Sequence, residues 1–212
     1  MSFRDKEKVG KKIDDNTIYG NGVCFKHIIK DRKHLNGLTE GFAEYLTRLC
    51  QFSKGHVIEY FFTDLLISIY GEEILEYSFL NNPLGLLMDN RFYNIIGFAQ
   101  NLDDYHLSIQ EIEIIIYMRK NLEEVMDKSK VARKEIIECM EQTLNRFNKS
   151  LPNLFDIIIE EYFSCDNSKI EKDLFVSKLS SFMLNPDYAP ILVLDKNCYV
   201  KRKIQNSIDL IK

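Results

Sequence analysis

Histidine and cysteine are the side chains best suited to hold a metal ion, and both are thinly spread through the 212 residues of this chain. Cys24 and His27 form a pair at metal-ligand spacing, and no second pair of that kind follows it. A zinc ion requires three or four ligands arranged around it. The sequence therefore predicts no metal site, and it contains no pattern typical of a cofactor site. The four histidines are His27, His34, His56 and His106.

Adjacent acidic residues occur five times and raise the question of general acid–base catalysis. Neighbours on a helix point about 100° apart, so such a pair does not converge on one reacting atom. Asp156 and Glu160 do share a helical face, but they flank an apolar run and are interpreted as the solvated edge of a buried helix. No acid–base couple is predicted. The adjacent pairs are Asp14-Asp15, Glu72-Glu73, Asp103-Asp104, Glu123-Glu124 and Glu160-Glu161.

Motifs for nucleophilic catalysis and nucleotide binding are missing from the sequence. It contains no GxSxG, no GK[ST], and only a GxG fragment at Gly20-Asn21-Gly22. All nine glycines lie in the first 97 residues, so the second half has little material for a loop that cradles phosphate. The chain is predicted to be non-catalytic, although a triad assembled from distant residues stays open.

The five cysteines are odd in number and far apart, which argues against a disulfide framework. Free thiols are typical of a reducing compartment. The N-terminal residues carry mixed charge without an apolar centre, and no apolar run approaches the roughly 20 residues that cross a bilayer. We therefore expect a cytoplasmic protein that does not enter a membrane.

Charge is distributed unevenly along the chain. Residues 1–34 hold nine Lys/Arg against five Asp/Glu, residues 35–194 hold 14 against 25, and residues 195–212 hold five against two. If the termini meet in space, the two basic ends form one nucleic-acid surface, with Phe25 and Tyr199 available to stack on bases. The candidate nucleic-acid contacts are Lys26, Lys30, Arg32, Lys33, Lys201, Arg202 and Lys203.

Apolar residues recur at helical spacing through most of the chain, which predicts about eight helices. The helices expected at Thr39–Phe52 and Lys54–Tyr70 suggest a helix-turn-helix or ribbon-helix-helix unit, but the second presents Glu59 and Asp64, whose carboxylates would repel phosphates. Residues 18–29 are interpreted either as a turn that leads into a strand or as the first turns of a helix.

Capping residues and prolines predict where the helices begin and end. Gly71 is expected to end the second helix, and Ser108 with Glu111 matches a capping box at the start of another. Pro152 is expected to separate two helices, because proline is accepted in a first turn but not in a helix interior. The segment 154–163 is apolar nearly all round and is predicted to be a central, buried helix.

These signals predict a mainly α fold, a single helical globule of about eight helices with a small C-terminal β-hairpin. The hairpin is expected from Ile191-Leu192-Val193-Leu194 and Cys198-Tyr199-Val200, which flank a turn-like segment. The expected division of the chain is a flexible N-terminal segment at 1–15 and one helical domain at 16–212, with lobes at 16–103 and 104–212.

The function that these observations favour is recognition of a protein partner by a non-catalytic helical protein of the regulatory, inhibitory or immunity type. Helix faces, or the rim around Asp103 and Asp104, are the candidate partner-binding surfaces. The alternative is a DNA- or RNA-binding regulator that uses the basic N- and C-terminal segments. An enzyme with an unfamiliar active site between the lobes and a small-ligand sensor also stay open, and the oligomeric state is not predicted.

Overall fold

The structure is a computed structural model in which an antiparallel sheet precedes a set of helices. It describes residues 11–13, 16–21, 24–27, 32–50, 55–80, 82–122, 130–165, 170–188 and 199–211. Four strands pair in chain order, each antiparallel to the next. They are β1 (Lys11–Ile13), β2 (Asn16–Asn21), β3 (Cys24–His27) and β4 (Arg32–His34).

From residue 35 onward, every element in the described part of the chain is helical. There are eight α-helices among these residues, together with two 3₁₀ turns at Glu72–Leu75 and Pro186–Tyr188. The helices are α1 (Asn36–Leu49), α2 (Val57–Tyr70), α3 (Glu76–Phe79), α4 (Pro83–Leu87), α5 (Ile95–Leu122), α6 (Lys130–Ser164), α7 (Lys172–Leu184) and α8 (Tyr199–Ile211).

These residues are all helical, as their apolar spacing predicts, but the predicted C-terminal β-hairpin is wrong. Tyr199 and Val200, assigned to its second strand, begin helix α8. Val200 is buried together with the side chains that follow at helical spacing, Ile204, Ile208 and Ile211. This helical stripe buries the C-terminal segment against α6 and α7, and it outweighs the β-propensity of three residues. The rest of the predicted hairpin, and residues 1–15 apart from β1, lie outside the described residues.

Helices α5 and α6 are the two longest elements and pack against each other along their length. Glu111 meets Thr143, Asn101 meets Asn153, and the residues just before α5 meet Glu161 near the end of α6. Residues with higher numbers in α5 contact residues with lower numbers in α6, so the two helices run antiparallel. This pair is the frame on which the shorter helices lie.

Both helices continue through positions where the sequence predicts a boundary. Ser108 lies inside α5, and its hydroxyl donates to the Asp104 carbonyl at 2.6 Å instead of capping a helix. Pro152 lies inside α6. Leu151 and Leu154, on either side of it, are fully buried. Tertiary burial on both sides of the proline stabilises the helix despite the lost backbone hydrogen bond.

Helix α2 lies at the centre of the core, as its apolar residues predict. Ile58, Phe62 and Leu65 are inaccessible to solvent, and Phe61 and Phe62 meet Phe155 of α6 at ring-centroid distances of 6.1 and 4.9 Å. Gly71 ends the helix as expected, since its φ of 95° is in the region that favours glycine. The predicted burial of 154–163 is confirmed for most of its residues.

Gly41 sets the spacing between α1 and α2, because a methyl group at that position would lie 2.7 Å from the Glu59 carbonyl oxygen and 2.1 Å from Thr63 Oγ1. We expect Gly41→Ala to lower the free energy of unfolding by about 1–3 kcal/mol, since the helices must move apart. Helix propensity alone would raise the free energy of unfolding by about 1 kcal/mol, because alanine favours a helix more than glycine does. Urea denaturation measures the sign, and a more stable Gly41→Ala protein would contradict the close packing.

Candidate functional site

Three polar side chains meet where α1, α2 and α5 pack together. We call His56, Glu59 and His106 the histidine–glutamate cluster. Glu59 lies in the first turn of α2, His56 precedes that turn, and His106 comes from the middle of α5. His106 Nδ1 lies 2.6 Å from Glu59 Oε1, and His56 Nδ1 lies 3.8 Å from the same oxygen. The helix packing therefore brings together residues 47 positions apart in the sequence.

The second ring nitrogen of each histidine has its own partner. Gln110, one turn beyond His106 on α5, places its amide nitrogen 2.9 Å from His106 Nε2. Glu40 of α1 places a carboxylate oxygen 3.4 Å from His56 Nε2. Each imidazole is thus held between two groups. The imidazoles of His56 and His106 both turn Nδ1 toward Glu59.

The electrostatics of the cluster follow from its burial. Burial raises the pKa of Glu59, but hydrogen bonds from His106 and His56 outweigh that effect and hold it at about 2. The hydrogen bond to Glu59 likewise raises the pKa of His56. Burial, and then the Glu59 charge, raise the pKa of Tyr105 well above its ordinary value. The site therefore keeps an ionised carboxylate inside the protein, next to two imidazoles.

Sequence reasoning missed this cluster because it placed Glu59 on the solvent-facing side of its helix. The structure buries Glu59, which is 4 % exposed. His56 and Glu59 are three residues apart, a spacing that puts two side chains on one helical face, and this was the local signal available. The contribution of His106 depends on tertiary packing and leaves no local pattern.

A second feature is a run of large apolar side chains at the protein surface. Within residues 79–96, six such side chains are between 52 and 77 % exposed. We call them the apolar surface; they are Phe79, Leu80, Leu84, Met88, Tyr93 and Ile96. They come from α3 and the residue that follows it, from α4, from the loop that follows α4 and from the first turn of α5. Met88, Tyr93 and Ile96 line a shallow cavity of about 290 Å³.

A buried carboxylate fixes the end of this loop, which carries Tyr93 of the apolar surface. Glu161 of α6 is inaccessible to solvent, and its oxygens accept hydrogen bonds from the Tyr93 amide at 3.0 Å and the Asn94 amide at 2.5 Å. The Tyr70 hydroxyl donates to the same carboxylate. Asn94 in turn caps α5 by accepting from the Gly97 amide at 3.0 Å. Tyr93 is therefore held rigidly while its ring faces solvent.

Charged and polar groups lie beside the apolar surface. Arg91 donates to Asp89 Oδ2 at 2.7 Å and to Glu73 at 3.1 Å, and Tyr77 donates to Asp89 Oδ2 at 2.5 Å. The hydrogen bonds from the Arg91 guanidinium lower the pKa of Asp89 to about 2, against the opposing effect of burial. This side of the surface stays ionised at neutral pH.

The residues singled out in the sequence lie in several places. Asp103 and Asp104 are in α5, and Asp103 accepts from the backbone amides of Leu35 and Gly37 at 2.7 and 2.8 Å, which ties the start of α1 to α5. The Asp104 carbonyl accepts the hydrogen bond from the Ser108 hydroxyl. A partner-binding role for the Asp103–Asp104 rim stays a prediction.

The candidate nucleic-acid contacts lie in the sheet and in the last helix. Lys26 is in β3, Arg32 and Lys33 are in β4, and the register places Lys26 directly opposite Lys33. The three candidates near the C-terminus are in the first turns of α8. One of them, Lys203, places its Nζ 2.5 Å from Asp156 of α6. Lys30 lies outside the described residues. Whether the two basic ends form one surface stays a prediction. The C-terminal three are Lys201, Arg202 and Lys203.

Comparison with protein-family models, curated proteins and solved structures found no match to this chain. Among the described helices, none combines the length and the apolar character needed to cross a membrane. Function is therefore inferred from the geometry of the histidine–glutamate cluster and of the apolar surface.

Replacing the buried Glu161 carboxylate tests how the apolar surface is held. We expect Glu161→Gln to lower the free energy of unfolding by roughly 2–3 kcal/mol. The glutamine side chain has one oxygen acceptor and one NH2 donor, so the NH2 group would face a backbone amide that also donates. Tyr70→Phe, the control, removes one of the three donors and is expected to cost about 1 kcal/mol. Urea denaturation measures both. Equal, small losses in the two variants would contradict the role assigned to Glu161.

Proposed function

We propose that this chain is a non-catalytic helical protein of the regulatory, inhibitory or immunity type, and that it binds a protein partner through the apolar surface. The observation that carries the proposal is the exposure of six large apolar side chains within 18 residues. Single exposed apolar residues are ordinary, but a group of them beside charged residues is typical of interaction sites.

The construction of the apolar surface supports this proposal. Tyr93 is held by the backbone hydrogen bonds to Glu161, so its ring loses little conformational freedom when a partner covers it. Tyrosine is also enriched among the residues that dominate binding energy. Asn82 caps α4 by accepting from the Gly85 amide at 2.9 Å, which fixes the helix that carries Leu84.

Charge indicates what the partner's surface contains. Glu73 is largely exposed beside Arg91, and residues 35–194 carry an excess of acidic groups. A complementary partner presents an apolar patch edged by lysine or arginine. Cys50 and Cys139 are free and exposed, which suits the reducing cytoplasm in which we place this interaction.

Site-specific photo-crosslinking in cells captures the protein that covers the apolar surface. A photoreactive amino acid replaces Met88 in the apolar surface and, as a control, the exposed Glu141 on α6. We expect one protein to be crosslinked at position 88 and not at position 141. The same products at both positions, or none at position 88, would contradict the proposal.

The crosslinked protein is then purified and its affinity measured by calorimetry. We expect Leu84→Ser and Met88→Ser each to weaken binding by about tenfold or more, because both remove exposed apolar contacts from the interface. Glu141→Gln serves as the matched control and is expected to bind like the wild type. A second copy of this chain as the crosslinked species, with a dimer in sedimentation, would replace the heterologous partner by self-association.

Nucleic-acid binding is the second candidate, and the register of the sheet is the observation that favours it. The register pairs position 26 with position 33, so two of the candidate basic residues occupy neighbouring strands at the same level of the sheet. The acidic residues in the middle of the chain weigh against an extended nucleic-acid surface.

Fluorescence anisotropy with labelled duplex and single-stranded oligonucleotides tests this second candidate. If the protein binds nucleic acid, its affinity falls as the salt concentration rises. In the Lys26→Gln/Lys33→Gln protein, the slope of log affinity against log salt concentration is expected to be smaller by about 1–2 than in the wild type. Lys134→Gln, at an exposed position on α6, is the control and is expected to change nothing. No binding at low salt, or equal effects of both variants, would refute it.

A further inference from the structure

We propose that the histidine–glutamate cluster binds a divalent transition-metal ion, Zn²⁺ in particular, through His56, Glu59 and His106, with a fourth coordination position open to solvent. This inference is independent of the apolar surface, which is built from other residues.

The donor set selects the class of metal. Two imidazole nitrogens and one carboxylate oxygen are ligands that zinc uses in sites with three protein ligands and a bound water. Calcium and magnesium prefer oxygen ligands alone, so this set disfavours them. The cluster also provides the charge, because the Glu59 carboxylate is buried beside the two imidazoles, hydrogen-bonded to His106 and 3.8 Å from His56 Nδ1.

The geometry is close to that of a bound ion. One ligand atom from each residue lies within 4.8 Å of the others. Ligands about 2.0–2.2 Å from one zinc ion in a tetrahedral array are about 3.4 Å apart. The present separations from Glu59 Oε1 are 2.6 Å to His106 Nδ1 and 3.8 Å to His56 Nδ1. They lie on either side of that value, so shifts of less than about 1 Å complete the site.

The outer contacts are those expected around metal-binding histidines. A ligand histidine usually has its second ring nitrogen hydrogen-bonded to a carboxylate or another acceptor, which orients the ring. Glu40 lies at that position for His56, and the Gln110 side-chain amide lies there for His106. Turning the amide by 180° makes its oxygen an acceptor for His106 Nε2–H. Both rings are therefore aligned to present Nδ1 to one ion.

The exposure of the three residues leaves one side of the site open. Glu59 and His106 side chains are each 5 % exposed, whereas the His56 side chain is 44 % exposed. An ion can reach the carboxylate along the His56 side, and a water molecule or an anionic group can take the remaining position. Three protein ligands with one open position distinguish this site from a closed structural zinc site.

A purely structural role makes a different prediction from a metal site. A buried hydrogen bond between Glu59 and His106 requires neither His56 nor Glu40. A metal site requires His56 as a ligand and Glu40 as its support. His56 lies at the surface and ahead of α2, so it can be replaced without disturbing the core.

Calorimetric titration of Zn²⁺ into the full chain, after removal of metal with EDTA, tests the proposal. The background carries Cys50→Ser and Cys139→Ser so that exposed thiols do not compete. We expect one equivalent to bind, His56→Ala to weaken the affinity by about 100-fold or more, and Glu40→Gln to weaken it by about tenfold. Circular dichroism in EDTA is expected to be unchanged in both variants.

Cysteine ligation elsewhere is the competing explanation for any zinc that binds. Cys24→Ser removes the pair with His27 and is the matched control, expected to leave affinity unchanged. Co²⁺ supplies a second readout, since nitrogen and oxygen ligands give visible absorption without a thiolate charge-transfer band. No bound zinc, equal affinity in the His56→Ala protein, loss of binding in the Cys24→Ser protein, or a thiolate band would each overturn the proposal.

Discussion

A carboxylate buried away from water must be surrounded by hydrogen-bond donors, and this constraint organises the functional surfaces of the protein. Glu161, near the end of α6, has no contact with solvent. Its donors come from Tyr70 at the end of α2 and from the amides of Tyr93 and Asn94. Without them the buried charge would be costly, so α2, α6 and the loop before α5 are held in one arrangement. The exposed ring of Tyr93 owes its position to this contact.

Glu59 satisfies the same requirement with different partners. Its neighbours are the imidazoles of His106, at hydrogen-bond distance, and of His56, at 3.8 Å, and imidazoles also bind metals. Glu161 instead accepts from two backbone amides and the Tyr70 hydroxyl. Glu161 and Glu59 therefore enter the two proposals in different ways. In the first, Glu161 holds the backbone at Tyr93 beneath a protein partner, and in the second, Glu59 is a ligand of a cation. Both carboxylates contact or belong to α2, most of whose side chains are buried.

Local sequence patterns predicted the features that depend on neighbouring residues, but not those that depend on the tertiary fold. The apolar spacing of α2 and its end at Gly71 are confirmed. The capping box at Ser108 and the break at Pro152 are wrong, because the packing of α5 against α6 keeps both helices continuous. The apolar pattern at 191–200 favoured strands, yet the burial of the residues after Tyr199 required a helix. Contacts between distant residues, such as Glu59 with His106, leave no pattern within either segment.

Hydrogen exchange of individual backbone amides measures the role of Glu161 most directly. The amides of Tyr93 and Asn94 lie in a loop, but they donate to a carboxylate that only extensive unfolding would expose. We predict that they exchange as slowly as core amides in α2. The Arg91 amide, which donates to Asp89 at the surface, is predicted to exchange much faster. Exchange of Tyr93 and Asn94 at the rate of Arg91 would show that the buried carboxylate does not hold the loop.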